Sequence, residues 1–183
     1  DRKAFTKEVL QKVIDGGDRY GASDLGNGKT VCMDYSSINI AKPFHIGHLS
    51  TTVIGAALYR IYKFLGYNAV GINHLGDYGT QFGKLIYAYK AWGNRETVDK
   101  EGLKELTRLY VRYHEEAENN PEMDDEARAY FKKIETGDKE CVELFNYFKE
   151  ITLKEIDKIY KLLDVQFDSY AGESFYNDKM QPV

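Results

Sequence analysis

The segment from Asp34 to His48 constrains the fold of this chain more than any other. Residues 30–35, which lead into it, are mostly apolar or β-branched and predict a buried strand. Residues 46–65, which follow it, carry apolar side chains at helical spacing and predict a long helix. The segment is therefore a strand-to-helix loop, and open α/β sheets bind nucleotides at such loops.

This loop carries two histidines at the predicted start of the helix. His45 and His48 are three positions apart, so both side chains face the same side of the first helical turn. Unpaired backbone N–H groups and the helix dipole add positive potential there. Pro43 suits the approach to a helix start, and Gly47 leaves room for a ligand near the backbone. The pattern predicts a phosphate site with two imidazole donors.

Two strings of residues in this chain resemble the signatures of one enzyme family. His45-Ile46-Gly47-His48 is similar to the signature of class I aminoacyl-tRNA synthetases, and the wider string over residues 36–48 resembles its arginyl-tRNA synthetase version. The string over residues 74–83 is similar to that family's Gly-Asp-Trp-Gly-Thr-Gln-Phe-Gly. The similarity extends to Gly172-Glu173-Ser174-Phe175-Tyr176 and covers most of the chain. The resemblance implies an arginine–tRNA ligase that activates arginine with ATP and transfers it to the terminal adenosine of its tRNA.

The first half of the chain alternates helices and strands. Apolar residues at helical spacing predict a helix over residues 3–14, which Gly16 and Gly17 end. Ile54, Leu58 and Ile61 head the expected core stripe of the helix over residues 46–65, together with Tyr62 and Leu65. Residues 67–73 predict a second strand, parallel to the first, and residues 80–92 predict another helix.

The pattern changes after residue 93. Three helices are predicted, over residues 100–118, 124–135 and 139–163, with no strand between them. Residues 164–170 return to strand character. We therefore expect an α/β class, with a Rossmann-like parallel nucleotide-binding half-domain and an all-helical insertion. The expected division is residues 1–93 for the first half of the catalytic domain, 94–163 for the insertion, and 164–183 for the truncated return to the sheet.

Composition and charge limit the partners and the cellular location that we expect for the protein. The chain has 183 residues and a net charge of −4, which argues against a large sequence-independent nucleic-acid surface. Other domains, mostly outside this piece, are expected to bind the tRNA; the missing initiator Met and the chain's last residues suggest an excised fragment. No apolar run is long enough for a membrane span. The distant cysteines, Cys32 and Cys141, suggest no disulfide framework, and we expect a cytoplasmic location.

The resemblance also implies roles for particular side chains. His45, Gly47, His48 and Lys42 would bind ATP, and the two histidines and the lysine would be catalytic, with Lys42 in place of the lysine that many class I synthetases carry in a later motif. Asp34, Asn39 and His45 would bind arginine, although the family usually has Glu where this chain has Asp34. Asp77, Tyr78 and Gln81 would hold the active-site loop or contact the 3′ end of the tRNA. ATP with Mg²⁺ is expected as a substrate, L-arginine and tRNA as partners, and no tightly bound cofactor or resident metal.

Purely structural roles and alternative functions remain open for these residues. Lys42 could be a solvated lysine, Asp34 a strand-end turn residue, and Asn39 the side chain of an Asx-turn. His45, His48, His74 and Asp77 could instead form a zinc site. A nucleotidylyltransferase, which shares the His-x-Gly-His pattern, and a non-catalytic synthetase-like binding module are the alternative functions.

Overall fold

The computed structural model of the protein describes residues 1–179. Within that range the chain forms seven α-helices and two β-strands. In chain order they are α1 (Arg2–Gly16), β1 (Thr30–Asp34), α2 (Ile46–Phe64), β2 (Asn68–Ile72), α3 (Thr80–Trp92), α4 (Arg95–Glu101), α5 (Leu103–Ala117), α6 (Glu122–Glu135) and α7 (Lys139–Leu162). Residues 180–183, the end of the expected third segment, lie outside the described residues.

The two strands run parallel, as the strand–helix–strand order predicts. Thr30 pairs with Asn68 at one end and Asp34 pairs with Ile72 at the other. The carboxyl ends of both strands therefore meet at one edge of the sheet. The loop after β1 leads into α2 and the loop after β2 leads into α3, so the two signature strings lie side by side. This juxtaposition creates the candidate site.

The core stripe predicted for α2 is wrong. Ile54, Leu58 and Ile61 are 58%, 45% and 52% exposed, and the buried residues of this helix are Thr52, Gly55 and Ala56. A Cβ at Gly55 would overlap the Tyr35 side chain, so small residues let α2 approach the end of β1 closely. The larger apolar side chains therefore point away from the described part of the chain.

Helix α1 is present, as predicted, but it contributes no buried residue. Its apolar side chains at helical spacing include Phe5, which is 69% exposed, and Ile14, which is 73% exposed. Asp1 caps its first turn by accepting a hydrogen bond from the Lys3 N–H. Propensity and capping, rather than packing, determine where this helix lies in the sequence.

The main hydrophobic core lies among the helices. Helix α3 packs chiefly against α6 and α5, and α7 closes the group. A Cβ on Gly83 would overlap the carbonyl of Ala127, so glycine permits the close approach of α3 and α6. The largest fully buried side chains of this core include Phe82, Leu106, Tyr113 and Phe148. The loop residues Ile38 and Ile40 belong to the same core, which ties the first signature string to the helical layer.

The helical region differs from the prediction at one point. The helix expected over residues 100–118 is broken at Gly102, whose φ of 59° lies in the left-handed region, and a short extra helix, α4, precedes the break. The helices predicted over residues 124–135 and 139–163 are confirmed with small shifts of their ends. Tyr113 and Tyr160 pack in the interior, where they are 0% and 2% exposed.

The strand predicted over residues 164–170 is also wrong. In its place Ser169 makes a single parallel bridge to Ile72. The Asp168 carboxylate accepts a hydrogen bond of 2.7 Å from the Gly71 N–H, and the Asp168 N–H donates to the Gly71 carbonyl. A side chain thus takes the place of a backbone acceptor beside β2, which interrupts a regular ladder.

No helix within residues 1–179 combines the length and the apolar character needed to cross a membrane.

Candidate functional site: the histidine loop at the end of the sheet

The loop between β1 and α2, residues 35–45, is built from unusual backbone conformations; we call it the histidine loop. Ser36, Ser37 and Ala41 have φ values of 73°, 47° and 61°, a region that residues other than glycine rarely occupy. Each such residue costs on the order of 1–3 kcal/mol and persists only where its surroundings hold it. The Ser37 N–H donates to Asn73 Oδ1 at 3.1 Å, and the Ala41 N–H donates to Thr152 Oγ1 at 3.1 Å. Strain of this kind is typical of functional sites.

The two histidines close this loop at the start of α2. His45 is the N-cap residue, and its Nδ1 accepts a hydrogen bond of 3.1 Å from the Gly47 N–H. The His45 N–H points to His48 Nδ1 at 3.4 Å, and the rings stack with centroids 3.8 Å apart. Because both Nδ1 atoms accept, each neutral ring carries its proton on Nε2. The Nε2–H groups of both rings take no part in these cap hydrogen bonds.

Glycine at position 47 is needed for this arrangement. A Cβ there would lie 3.0 Å from Cε1 and 3.2 Å from Nδ1 of His45. Glycine at position 47 therefore leaves room for the His45 ring. The predicted contact of Gly47 with ATP stays a prediction.

Electrostatics favour the neutral form of His48. Partial burial lowers its pKa below the usual 6.5, and the neighbouring His45 and Lys42 lower it further. At neutral pH the ring is therefore a neutral Nε2–H donor. Lys42 itself is exposed and forms no ion pair with any residue of the described range 1–179. Its charge is available to an anion near the histidines.

Asp34 and Asn39, two of the three residues expected to bind arginine, differ in their local roles. Asp34 Oδ1 accepts hydrogen bonds from Ser37 Oγ at 2.7 Å and from the His74 N–H at 3.3 Å. This is the strand-end turn geometry, and Asp34 Oδ2 has no hydrogen-bond partner within residues 1–179. Asn39 is half-buried, bridges to Gly76 in parallel fashion, and places its amide over that glycine. No Asx-turn hydrogen bond from Asn39 occurs within the described chain.

The second signature string is built into the fold. Asp77 is fully buried, and its carboxylate accepts hydrogen bonds from the Ser174 N–H at 2.9 Å and from Ser174 Oγ at 2.6 Å. Gln81 Nε2 donates to the Gly76 carbonyl at 3.2 Å. The Tyr78 hydroxyl bonds Glu135 on α6 and Asn177. These contacts match the loop-holding alternative for all three residues.

Sequence reasoning missed a set of polar residues that support the loops of the candidate site. Lys149, Thr152 and Tyr160 lie on α7, and each contacts a loop of the site although 70 or more positions separate the partners. Asn73 and Thr52, both fully buried, complete the set. The available signal was a polar side chain at a core position of an amphipathic helix, but its partner could not be read from the sequence. The Tyr160 pKa is raised because burial penalises the phenolate.

A zinc site from the four suggested ligands is not formed. Within residues 1–179 no group of three or more His, Cys, Asp or Glu side chains could hold a metal ion. Asp77 is engaged by Ser174 and Lys149, and His74 Nδ1 lies 3.0 Å from the Ala171 carbonyl. The two remaining histidines are occupied at Nδ1 by the helix cap.

Comparison with known proteins identifies the family. The family described as "tRNA synthetases class I (R), catalytic domain" matches residues 9–183. The chain belongs to the arginyl-tRNA synthetase catalytic-domain family. An arginine–tRNA ligase of Clostridium perfringens is 60% identical over 183 residues, which are 100% of this chain and 32% of that protein. One from Alkaliphilus metalliredigens is 58% identical with the same coverage.

Solved structures of arginyl-tRNA synthetases share the fold. The enzyme from Plasmodium falciparum has a TM-score of 0.68 and 32% identity, over 91% of this chain and 27% of that chain. The Thermus thermophilus enzyme has a TM-score of 0.64 and 25% identity, over 84% of this chain and 25% of that chain. The fold is therefore the class I synthetase catalytic fold, with parallel strands and many helices. The chain spans about a third, 32%, of the length of the curated relatives that it matches.

Proposed function

We propose that this chain provides the first part of the active site of an arginine–tRNA ligase. The proposed protein activates L-arginine with ATP and transfers it to the 3′-terminal adenosine of its tRNA. The observation that carries the proposal is the stacked histidine pair at the N-terminus of α2, with both Nδ1 atoms taken up by the helix cap. Family membership supports the choice of arginine and tRNA as substrates.

In the proposed first step the arginine carboxylate attacks the α-phosphorus of ATP, and pyrophosphate leaves. Negative charge develops on the phosphoryl oxygens, and donors placed for that state raise the rate. Nε2 of His45 and Nε2 of His48 serve as these donors, while Lys42 adds a positive charge. In the second step a hydroxyl of the terminal ribose attacks the arginyl carbonyl, and AMP leaves.

The other residues are given supporting or binding roles in this proposal. Asp34 and Asn39, with His45, form the early part of the arginine site. The Oδ2 of Asp34, which has no hydrogen-bond partner within residues 1–179, can accept from a guanidinium. Asp77, Tyr78 and Gln81 hold the active-site loop, since Asp77 is fully buried. ATP enters with Mg²⁺ as a substrate, and a cytoplasmic location is proposed with it. Following the family, arginine activation is proposed to need bound tRNA.

The domain division stays part of the proposal. Residues 1–93 and 164–183 are assigned to the catalytic half-domain and residues 94–163 to a helical insertion. Helix α3 of the first segment shares its core with the helices of the second, so the two segments are proposed to act as one unit.

The decisive experiment is a charging assay on a full-length enzyme that carries this chain. All twenty amino acids are offered with ATP and total tRNA, and amino acid-dependent pyrophosphate exchange is measured with and without tRNA. We expect charging with arginine, discrimination against lysine, and exchange that depends on tRNA. Charging with a different amino acid contradicts the proposal. Nucleotide transfer without any amino acid would favour the nucleotidylyltransferase, which shares the histidine pattern.

A further inference from the structure

One face of α7 carries polar residues where a core helix normally carries apolar ones. Lys149, Thr152, Ile156 and Tyr160 follow one another at intervals of three or four positions. Thr152, Ile156 and Tyr160 are 0%, 1% and 2% exposed. Buried polar groups need hydrogen-bond partners, and the three polar members of this stripe all find theirs in loops of the candidate site.

Thr152 hydrogen-bonds the backbone of Ala41, a residue of the histidine loop with a left-handed φ. Its Oγ1 donates to the Phe148 carbonyl at 2.9 Å and accepts the Ala41 N–H at 3.1 Å. Ala41 is buried and has a left-handed φ of 61°, which an alanine adopts only under constraint. The next residue is Lys42, and His45 follows three positions later. The hydroxyl of Thr152 therefore fixes the backbone that presents the candidate phosphate ligands.

Tyr160 contacts Ser36, another residue of the histidine loop with a left-handed φ, as part of a chain of buried hydrogen bonds. Asn73 Nδ2 donates to the Tyr160 hydroxyl at 2.8 Å, and that hydroxyl lies 2.7 Å from Ser36 Oγ. Ser36 Oγ lies 2.8 Å from Thr52 Oγ1, which donates to the His48 carbonyl at 2.6 Å.

A single consistent direction satisfies every group in this chain. The His48 carbonyl can only accept, so it takes the Thr52 proton, and Ser36 then donates to Thr52. Tyr160 donates to Ser36, and Asn73 donates to Tyr160. The network joins the carboxyl ends of β1 and β2 to α2 and α7. Each of its three hydroxyl groups both donates and accepts a hydrogen bond. Networks of this kind specify one arrangement of the groups that they join.

We propose that Thr152 and Tyr160 of α7 are positioning residues for the histidine loop. The proposal rests on the proposed function. Neither residue is assigned a contact with substrate: each holds a backbone segment whose side chains, Lys42, His45 and His48, are proposed to act on ATP. Through them the last helix of the insertion sets the geometry of the first signature string. A misplacement of about 1 Å at a reacting centre can lower a rate about a hundredfold.

The test uses substitutions that remove one hydroxyl and keep the shape. Tyr160→Phe and Thr152→Val are introduced into the full-length enzyme that carries this chain, and Thr152→Ser serves as the conservative variant that keeps the hydroxyl. Tyr113→Phe is the matched control for the tyrosine, because its buried hydroxyl bonds only the Met123 carbonyl and Asp124 within the described residues. Thr107→Val is the matched control for the threonine, because its hydroxyl bonds the Leu103 carbonyl on its own helix.

Activity is measured as arginine-dependent pyrophosphate exchange in the presence of tRNA. We expect Tyr160→Phe and Thr152→Val to lower kcat about tenfold to a hundredfold, with the KM for ATP changed less than about twofold. Thr152→Ser and both controls should keep the kcat of the wild type. Ser36→Ala combined with Tyr160→Phe should be no slower than the slower single variant, because both remove the same link. An unchanged kcat in the two test variants overturns the proposal, and so does an equal loss in the controls.

Hydrogen exchange provides a readout that does not depend on catalysis. In Thr152→Val the Ala41 amide loses its acceptor, so the peptide that contains it should exchange about two- to tenfold faster. Tyr160→Phe should accelerate exchange at Ser37, whereas Thr107→Val and Tyr113→Phe should leave both amides unchanged. Unchanged exchange in the test variants overturns the proposal. If the wild type shows no arginine-dependent exchange of pyrophosphate, the proposed function fails, and the amide measurements still decide the positioning role.

Discussion

The ammonium of Lys149 contacts the carboxylate of Asp77, which joins α7 to the loop between β2 and α3. The Asp77 side chain is fully buried, and the Lys149 side chain is 25% exposed. Asp77 also accepts two hydrogen bonds from Ser174, so one carboxylate connects the second signature string to α7 and to Ser174. This pairing makes Asp77 a structural centre of the site.

Removing the positive partner should strongly destabilise the fold. Lys149→Met leaves the buried Asp77 carboxylate without its cation, and such losses cost about 3–5 kcal/mol. Because Lys149 is partly exposed, we expect the lower end of that range. Denaturant unfolding of the chain measures the free energy. Lys154→Met is the control, since Lys154 is exposed on the same helix and has no ion pair within residues 1–179. Equal stability of both variants would show that Ser174 alone holds Asp77.

Replacing His48 separates a capping role from a catalytic role. His48→Ala should raise the activation free energy of adenylate formation by up to about 3 kcal/mol, the size found when one transition-state donor is lost. The affinity for ATP should change little. His48→Asn keeps an acceptor near the Nδ1 position for the His45 N–H but cannot reach the Nε2 position. We expect single-turnover activation to be equally slow in both variants. Recovery in His48→Asn would show that the ring mainly caps α2.

Gly47→Ala should damage the site without damaging the helix. Alanine is favoured over glycine in a helix by about 0.5–1 kcal/mol. Its Cβ would nevertheless crowd the His45 ring at 3.0–3.2 Å and displace that ring from its cap. Loss of the His45 cap offsets the gain in helix propensity, so we expect a melting temperature close to that of the wild type together with a lower kcat for activation. A variant with the kcat of the wild type would mean that the position of the His45 ring is unimportant.

The free energy of unfolding of the chain should decrease as the pH is lowered from 6.5 to the lowered pKa of His48. Burial, His45 and Lys42 lower that pKa in the folded state, so the unfolded state binds more protons as the pH decreases below 6.5. The contribution is complete above pH 6.5 and is lost toward the folded pKa. His114, whose pKa is lowered by burial and by Lys84, acts in the same direction.

Lys42→Gln tests the electrostatic part of this effect. Without the lysine charge the folded pKa of His48 should rise toward 6.5, so the unfolding free energy should depend less on pH between 7 and 5. Denaturant titrations at several pH values measure the difference from the wild type. Lys154→Gln is the control, because Lys154 is not among the groups that shift the pKa of His48 or of His114. Identical pH profiles of Lys42→Gln and the wild type would contradict the proximity of Lys42 to His48.

The 183-residue chain by itself should fold cooperatively, associate with itself and form no arginyl-tRNA. Ile54, Leu58 and Ile61 expose an apolar face on α2, which favours association. Leu58→Lys should reduce the apparent mass in sedimentation while leaving the thermal transition in place. Lys12→Ala on the exposed face of α1 is a control outside this patch. Arginyl-tRNA formed by this chain alone would show that the first part of the site suffices.

The sequence by itself determined the local elements and the family of this protein. The helices predicted over residues 3–14, 46–65 and 80–92 and the strands before each signature string follow from local patterns. The glycine and the histidines of the first string mark the candidate site. Such features depend on neighbours within a few positions, so periodicity and capping predict them.

The tertiary structure decided which faces pack and which polar residues support the site. Ile54 and Leu58 look like core residues by spacing, yet Gly55 and Ala56 are buried because small side chains let α2 approach Tyr35. Residues 164–170 have strand composition, but the Asp168 side chain interrupts the ladder. Thr152 and Tyr160 hold the histidine loop from 111 and 124 positions away. Contacts across such distances depend on how helices pack, and no local pattern in the sequence encodes them.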